Sequence, residues 1–331
     1  MVRFGIAGYG LHAAKRLAPA LKAAKGCELV ALSRRNVAQA EADAAALGLK
    51  YGVGSTRELC ALAEVDAVVV TSPNAMHHAD VMTCLEMGKH VLCEKPMGLR
   101  VEEAAAMVAE AKRRRLVLGV AQSYRFCWSL EFARDCLKSG EIGRAVACRV
   151  DFSFVGLNSE RRWLTDAALA GGGPIADIGV HAVDAMRYVL DEEVESCTAV
   201  TTRDAESGGV EASAALSLRF RSGALGTSVV SFRSPYDTHL EVLGRKGRLV
   251  ARHGLDVDAP VAMEVEGEAG SRVVMVDNRG LYERQMEAFS EAIEKGTKFV
   301  ATGEDGVKNQ RVLDALFESA RVGSTIWVEG E

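Results

Sequence analysis

Apolar residues along this chain follow two rhythms, and the change from one to the other divides it. Over the first third, short apolar runs alternate with amphipathic, alanine-rich stretches. The runs at 2–8, 29–33, 67–71, 90–93 and 117–121 have strand length and little internal polarity, the pattern of strands covered on both faces. The stretches at 13–24, 38–47, 78–87 and 101–113 are rich in alanine with spaced leucine and valine, and predict helices. Strand and helix in alternation specify a doubly wound α/β domain with a parallel sheet, over residues 1–121.

Near residue 122 the rhythm changes. Helices are predicted at 131–139 and 182–190, with a strand at 145–154 between them. From about 194 the chain alternates, with runs at 212–220, 225–232, 239–243, 248–250, 262–265 and 273–276. Short connections such as Arg221-Ser222-Gly223 and Gly244-Arg245-Lys246-Gly247 suit antiparallel strands. Helices at 282–295 and 304–323 follow. Residues 122–331 therefore predict an α+β domain with a large, open, mainly antiparallel sheet. Strict alternation, as in 212–220, leaves one sheet face bare in a monomer, which predicts a homodimer or homotetramer built through that sheet.

Composition narrows the function class. The chain has 331 residues, 48% hydrophobic and 26% charged, enough for two ordinary globular domains. A net charge of -5 gives no general attraction for nucleic acid or an anionic membrane, and no helix-turn-helix signal is present. Arg113-Arg114-Arg115 reads as a solvated helix end. The first residues run straight into a strand, and no apolar run is long enough to span a bilayer, so a cytoplasmic protein is expected. The eight cysteines include no CxxC pair, which fits free thiols in a reducing compartment and argues against a metal site.

Four segments carry chemistry. Gly8-Tyr9-Gly10-Leu11-His12-Ala13 has the form GxGxxA, after a strand and opening a helix. There the glycines let backbone approach a pyrophosphate, and the helix start offers N–H groups. The second strand ends in Ser33-Arg34-Arg35-Asn36, without the acid that binds a ribose 2′-hydroxyl. A hydroxyl and guanidiniums suit a 2′-phosphate, so NADP(H) is favoured over NAD(H) as cofactor. Cys93-Glu94-Lys95-Pro96 follows the apolar His90-Val91-Leu92 and puts Lys95 at the end of a buried strand, where such sheets bind ligands. Asp177 and His181 lie one helical turn apart after Gly171-Gly172-Gly173-Pro174. Histidine titrates near neutrality and suits proton transfer as hydride leaves or joins an alcohol carbon.

With Ser72-Pro73-Asn74-Ala75-Met76-His77, these segments resemble the glucose–fructose oxidoreductase / inositol dehydrogenase (Gfo/Idh/MocA) family, in order and over nearly the whole chain. The resemblance implies a Rossmann domain followed by a sheet domain, and oxidation of a sugar, polyol or cyclitol hydroxyl or reduction of the matching carbonyl. It implies Lys95, Asp177 and His181 as the catalytic trio. It places Thr71, Ser72, Pro73, Asn74 and His77 along the cofactor and Glu94 near the nicotinamide half. Gln122, Arg125 and Trp163 fall on the nicotinamide side, and Tyr282 faces the substrate. Arg162, in the run Arg161-Arg162-Trp163, offers a clamp for a substrate carboxylate or phosphate, and residues 153–158 offer a pocket wall. Either His181 or Lys95 can be the main acid/base. A dihydrodiol-type dehydrogenase, a glycosidase that retains its cofactor and a non-catalytic dinucleotide-binding regulator remain alternatives.

Overall fold

The computed structural model describes residues 1–157 and 161–328. Asn158, at the end of the candidate pocket wall, lies outside the described residues. The chain forms two compact units, residues 1–122 with 282–310 and residues 123–281 with 311–331. The change of rhythm near 121 marks the first crossing; the structure adds that 282–310 returns to the first unit.

The first unit is built on six parallel strands: β1 (Val2–Ala7), β2 (Cys27–Ser33), β3 (Tyr51–Val53), β4 (Ala67–Val70), β5 (His90–Cys93) and β6 (Leu118–Val120). Their order is β3-β2-β1-β4-β5-β6. The connecting helices are α1 (Ala18–Ala23), α2 (Val37–Leu47), α3 (Thr56–Ala61), α4 (Asn74–Glu86) and α5 (Val101–Arg114). A π-wound turn, Ala13–Leu17, leads into α1. All four residues of β4 are fully buried, as both-face coverage requires. The strand order reverses between β1 and β4, so the ligand crevice of this topology opens at the ends of those two strands. The apolar pattern does not predict β3 or α3. β3 is a three-residue edge strand with no fully buried position. α3 has a legible signal in Ser55-x-x-Glu58: the Ser55 hydroxyl accepts the Glu58 N–H at 3.1 Å.

The second unit is built on a nine-stranded sheet. Its elements are α6 (Trp128–Lys138), β7 (Ala145–Ser153), α7 (Ala167–Ala170), α8 (Val180–Leu190), β8 (Val194–Thr202), β9 (Ser213–Phe220), β10 (Leu225–Ser231), β11 (Asp237–Gly244), β12 (Arg248–Arg252), β13 (Pro260–Gly267), β14 (Gly270–Asp277) and, near the end of the chain, β15 (Ile326–Trp327). The order is β14-β13-β12-β11-β7-β10-β9-β8-β15. β7 and β10 run parallel; the other neighbours are antiparallel. β8 is absent from the expected strands because its pairing shifts register between Val194 and Ser196, which breaks the two-residue alternation. α8 lies on the inner sheet face, so close that a Cβ on Gly226 of β10 would stand 2.9 Å from the Met186 sulfur.

Two helices complete the chain. α9 (Leu281–Lys295) puts Phe289 against Phe4 of β1 and against Phe299, with ring centroids 6.3 and 5.2 Å apart. α10 (Gly303–Val322) divides after Gln310. Its later part packs in the second unit, where the Ser319 hydroxyl accepts the Ala199 N–H of β8 at 3.0 Å.

Candidate functional site

The candidate residues fall in both units. In the first, the glycine turn sits at the strand-order reversal. Gly8 has φ +79°, and a Cβ there would meet the Ser72 backbone N at 2.7 Å. Only glycine fits both the conformation and the approach. Around Gly10 there is open space: a Cβ there would have the Gly8 carbonyl, at 3.7 Å, as its nearest neighbour. Leu11 and His12 open the helix beside it, whose first N–H groups have no intrahelical partner. This is a cradle that a dinucleotide phosphate fits.

The neighbouring loop is held from several sides. The Thr71 hydroxyl donates to the Gly8 carbonyl at 2.9 Å. Asp80 of α4 accepts the Ser72 and Thr56 hydroxyls, each at 2.6 Å. Pro73 precedes α4, which begins at the buried Asn74, four residues earlier than its apolar pattern predicts. His77 is therefore inside the helix. It is fully buried with Nδ1 2.8 Å from the Pro96 carbonyl and Nε2 2.8 Å from the Ser72 carbonyl, so it ties the 71–74 loop to the segment after Lys95. Burial pushes its imidazole below the ordinary range, although both carbonyls and Glu94 pull the other way.

Glu94 is buried at the end of β5 and lies 3.1 Å from His12 Nε2. Burial pushes the carboxyl up, but the charge and hydrogen bond of His12, with Lys95 beside it, outweigh that and hold it below the usual range. Lys95 is half-buried, and its backbone N–H donates to Glu94 at 3.2 Å. Tyr282 stands edge-on to the His12 ring, centroids 5.9 Å apart, with the Arg16 guanidinium over its face. Gln122 is 1% exposed, and neither polar atom of its side chain meets a partner among the described residues. A buried amide left open in this way suits a polar group of a bound ligand. At the end of β2, Ser33 is buried, Arg35 is exposed, and Arg34 is ion-paired with Asp43 of α2.

In the second unit the glycine run has a separate reason at each position. Gly171 ends α7 at φ +74°. A Cβ on Gly172 would stand 2.4 Å from the Phe317 ring, and one on Gly173 would stand 2.1 Å from the Glu211 carbonyl oxygen. The Glu211 carboxylate accepts the Ile175 N–H at 2.9 Å and so anchors the helix start. Burial pushes that carboxyl above its ordinary range, against the opposing pull of the Gly173 and Ile175 N–H groups. A π-wound turn, Ile175–Gly179, carries Asp177 and continues into α8 with His181 at its second position.

Asp177 and His181 are both buried. The Arg161 guanidinium lies 3.5 Å from Asp177. The clamp expected at Arg162 thus has a nearer candidate in its neighbour, since Arg162 is exposed; Trp163 beside it is half-buried. His181 is framed by aromatic rings: Tyr124 edge-on at 4.6 Å and Phe152 of β7 stacked at 6.2 Å. Neither ring stands out in the sequence, since aromatic residues in a strand or turn carry no signal beyond core packing. Arg125 forks onto Asp184 of α8, at 2.9 and 2.8 Å. Both are buried, which makes this pair a fixed strut along the His181 helix.

Residues 2–122 match an oxidoreductase family with an NAD-binding Rossmann fold, and residues 130–250 match the GFO/IDH/MocA C-terminal domain. The chain belongs to the GFO/IDH/MocA oxidoreductase family. It is a nicotinamide-dependent oxidoreductase by family. Its curated relatives include a 1,5-anhydro-D-fructose reductase of Ensifer adhaerens, 31% identical over 99% of both chains. A D-xylose 1-dehydrogenase (NADP(+)) of Haloferax volcanii is 33% identical over 98% of both. Among solved structures, an aldose-aldose oxidoreductase from Caulobacter crescentus complexed with glycerol superposes with TM-score 0.92, at 26% identity, over 98% of this chain and 99% of that one. Among the described residues no helix is long and apolar enough to cross a membrane, and no group of three or more His, Cys, Asp or Glu could hold a metal ion.

Proposed function

We propose that this chain interconverts a hydroxyl and a carbonyl on a sugar, polyol or cyclitol, with NADP(H) favoured as coenzyme. The observation that carries the reading is the buried carboxyl and imidazole of Asp177 and His181 on one continuous helical segment, in a chain whose full-length relatives are named sugar reductases and dehydrogenases. The nicotinamide coenzyme, when bound, supplies or accepts the hydride. Gly8, Tyr9, Gly10, Leu11 and His12 hold its pyrophosphate, and Ser33, Arg34 and Arg35 hold its ribose end. Thr71 to Asn74, braced by Asp80 and His77, with Glu94, Gln122, Arg125 and Trp163, order the rest of it.

His181 gives or takes the proton of the reacting hydroxyl, and Lys95 holds the reacting oxygen and shares that proton. Asp177, drawn on by Arg161, orients a substrate hydroxyl. Tyr282 and Arg162 contact the remainder of the substrate. The rings of Tyr124 and Phe152 fix the plane of the His181 imidazole and keep water from its faces.

The test is a coenzyme and substrate panel. Purified protein is titrated with NADPH and NADH by fluorescence, then assayed at the reduced-nicotinamide absorbance with aldoses, 1,5-anhydro-sugars and cyclitols. Turnover on a sugar or cyclitol supports the proposal. Tight coenzyme binding without net turnover on any of them rejects it in favour of a retained-cofactor enzyme or a sensor.

The bare face of the nine-stranded sheet supports a homo-oligomer. Val200 of β8, Ala215 of β9 and Val229 of β10 are cross-strand neighbours in one row on that face. Val200 is 67% and Val229 50% exposed, a contiguous apolar strip that pairing with a second copy would cover.

A further inference from the structure

The acid missing from the end of β2 is returned by α2. Asp43 lies about two turns into that helix. Its Oδ2 takes the Arg34 guanidinium, and its Oδ1 accepts the Gln39 side-chain amide at 3.1 Å. The pair is partly shielded, with side chains 35% and 21% exposed. Tyr9, in the middle of the glycine turn, senses both charges. Its hydroxyl lies above the ordinary range because of burial and then of Asp43, with Arg34 opposing. The Tyr9 N–H also donates to the Ser33 carbonyl at 2.9 Å. Carboxylate, guanidinium and glycine turn thus form one cluster at the ribose end of the coenzyme cradle.

We propose that Asp43 sets coenzyme selectivity: by holding Arg34 it weakens the attraction offered to a 2′-phosphate and moves NADP(H) and NAD(H) towards equal use. This rests on the coenzyme reading above and adds to it a residue that the end of β2 does not reveal. A 2′-phosphate must share Arg34 with a carboxylate and face that carboxylate's charge, whereas a 2′-hydroxyl meets neither cost. Ser33 and the exposed Arg35 supply the attraction that remains. The ion pair is partly exposed, so its effect is modest and falls with salt.

The experiment measures NADPH and NADH dissociation constants by fluorescence for the wild type, Asp43→Asn, Arg34→Gln and the double variant. It uses low salt and about 0.5 M salt. Melting curves check folding, and Asp43→Ser replaces the asparagine variant if that one does not fold. The expected result is that Asp43→Asn raises the NADPH-to-NADH affinity ratio about two- to fivefold at low salt, that the gain shrinks in high salt, and that it is largely lost in the double variant. An unchanged or lowered ratio in Asp43→Asn, with Arg34→Gln still weakening NADPH, overturns the role of Asp43 and leaves the coenzyme reading intact. If the wild type binds neither nucleotide, or Arg34→Gln leaves NADPH affinity unaltered, the coenzyme reading itself fails and the selectivity role with it.

Discussion

Glu94 is under two opposing influences, and which one prevails sets a pH dependence. Burial favours its neutral form, but His12 and Lys95 favour the carboxylate, and the net displacement is downward. A carboxyl held lower in the folded chain contributes stability that is fully present above the ordinary value of 4.5 and is lost as pH falls through its folded value. Glu94→Gln should therefore flatten the acid side of a melting-temperature profile; an unaltered slope below the ordinary carboxylate range would exclude this role. At the same scale, Lys95→Ala and His181→Ala should each lower kcat by about 100- to 10,000-fold, the usual range for a proton-handling group. Coenzyme affinity should change far less than kcat in His181→Ala, since the role proposed for that residue is on the substrate oxygen. A similar kcat in both variants and wild type would remove these two from the chemistry.

Elements hold these groups in place, and their attachments differ in strength. The helix bearing Asp177 and His181 is tied at its start by Glu211 and along its length by the Arg125–Asp184 pair. Both members of that pair are buried, and Arg187 lies 3.7 Å from Asp184 as well, so deletion of Asp184 takes a carboxylate from two buried guanidiniums. Asp184→Ala should cost about 3–5 kcal/mol in urea unfolding, whereas an exposed pair such as Lys295–Glu291 should contribute under about 1 kcal/mol. Gly172→Ala drives a methyl into the Phe317 ring and should cost about 1–3 kcal/mol by overpacking. Stability equal to wild type in Gly172→Ala would mean that Phe317 swings aside freely. Most elements are legible in the sequence: β4 and β5 announce themselves as short apolar runs, and β9 and β10 by alternation. β8 is not, because its register shift puts the buried Cys197 and Ala199 out of phase with the buried Val194 and Ser196. The start of α4 is hidden because Asn74, Ala75 and Met76 add no apolar periodicity to extend the pattern back.

For the whole molecule, the question with the largest consequence is whether a second copy covers the bare sheet face, as proposed. A charge on the Val200–Ala215–Val229 row would be solvated in a monomer and desolvated in an oligomer. Val229→Lys should leave a monomer folded and shift an assembled protein to smaller species in size-exclusion chromatography with light scattering. A wild-type chain that elutes as a monomer would refute the assembly. The return of 282–310 to the first unit also belongs at this scale. It is held there by the ring contact of Phe289 with Phe4 and by the Val120 N–H, which donates to the Ala301 carbonyl at 3.0 Å.

Periodicity, strand-ending glycines and charged residue types are local properties, so they sufficed for the fold class, a parallel α/β sheet followed by a mainly antiparallel one, for the Gly8-to-Ala13 turn, and for the candidacy of Lys95, Asp177 and His181. The family resemblance rested on the same local segments. Contacts between residues far apart in sequence leave no such trace. Nothing near Gly172 and Gly173 shows that Phe317 and Glu211 forbid a side chain there. Nor does the Arg161-Arg162-Trp163 run show which arginine turns towards Asp177. Those outcomes follow from close packing, in which the partner a charged or crowded group meets is set by the path of the whole chain.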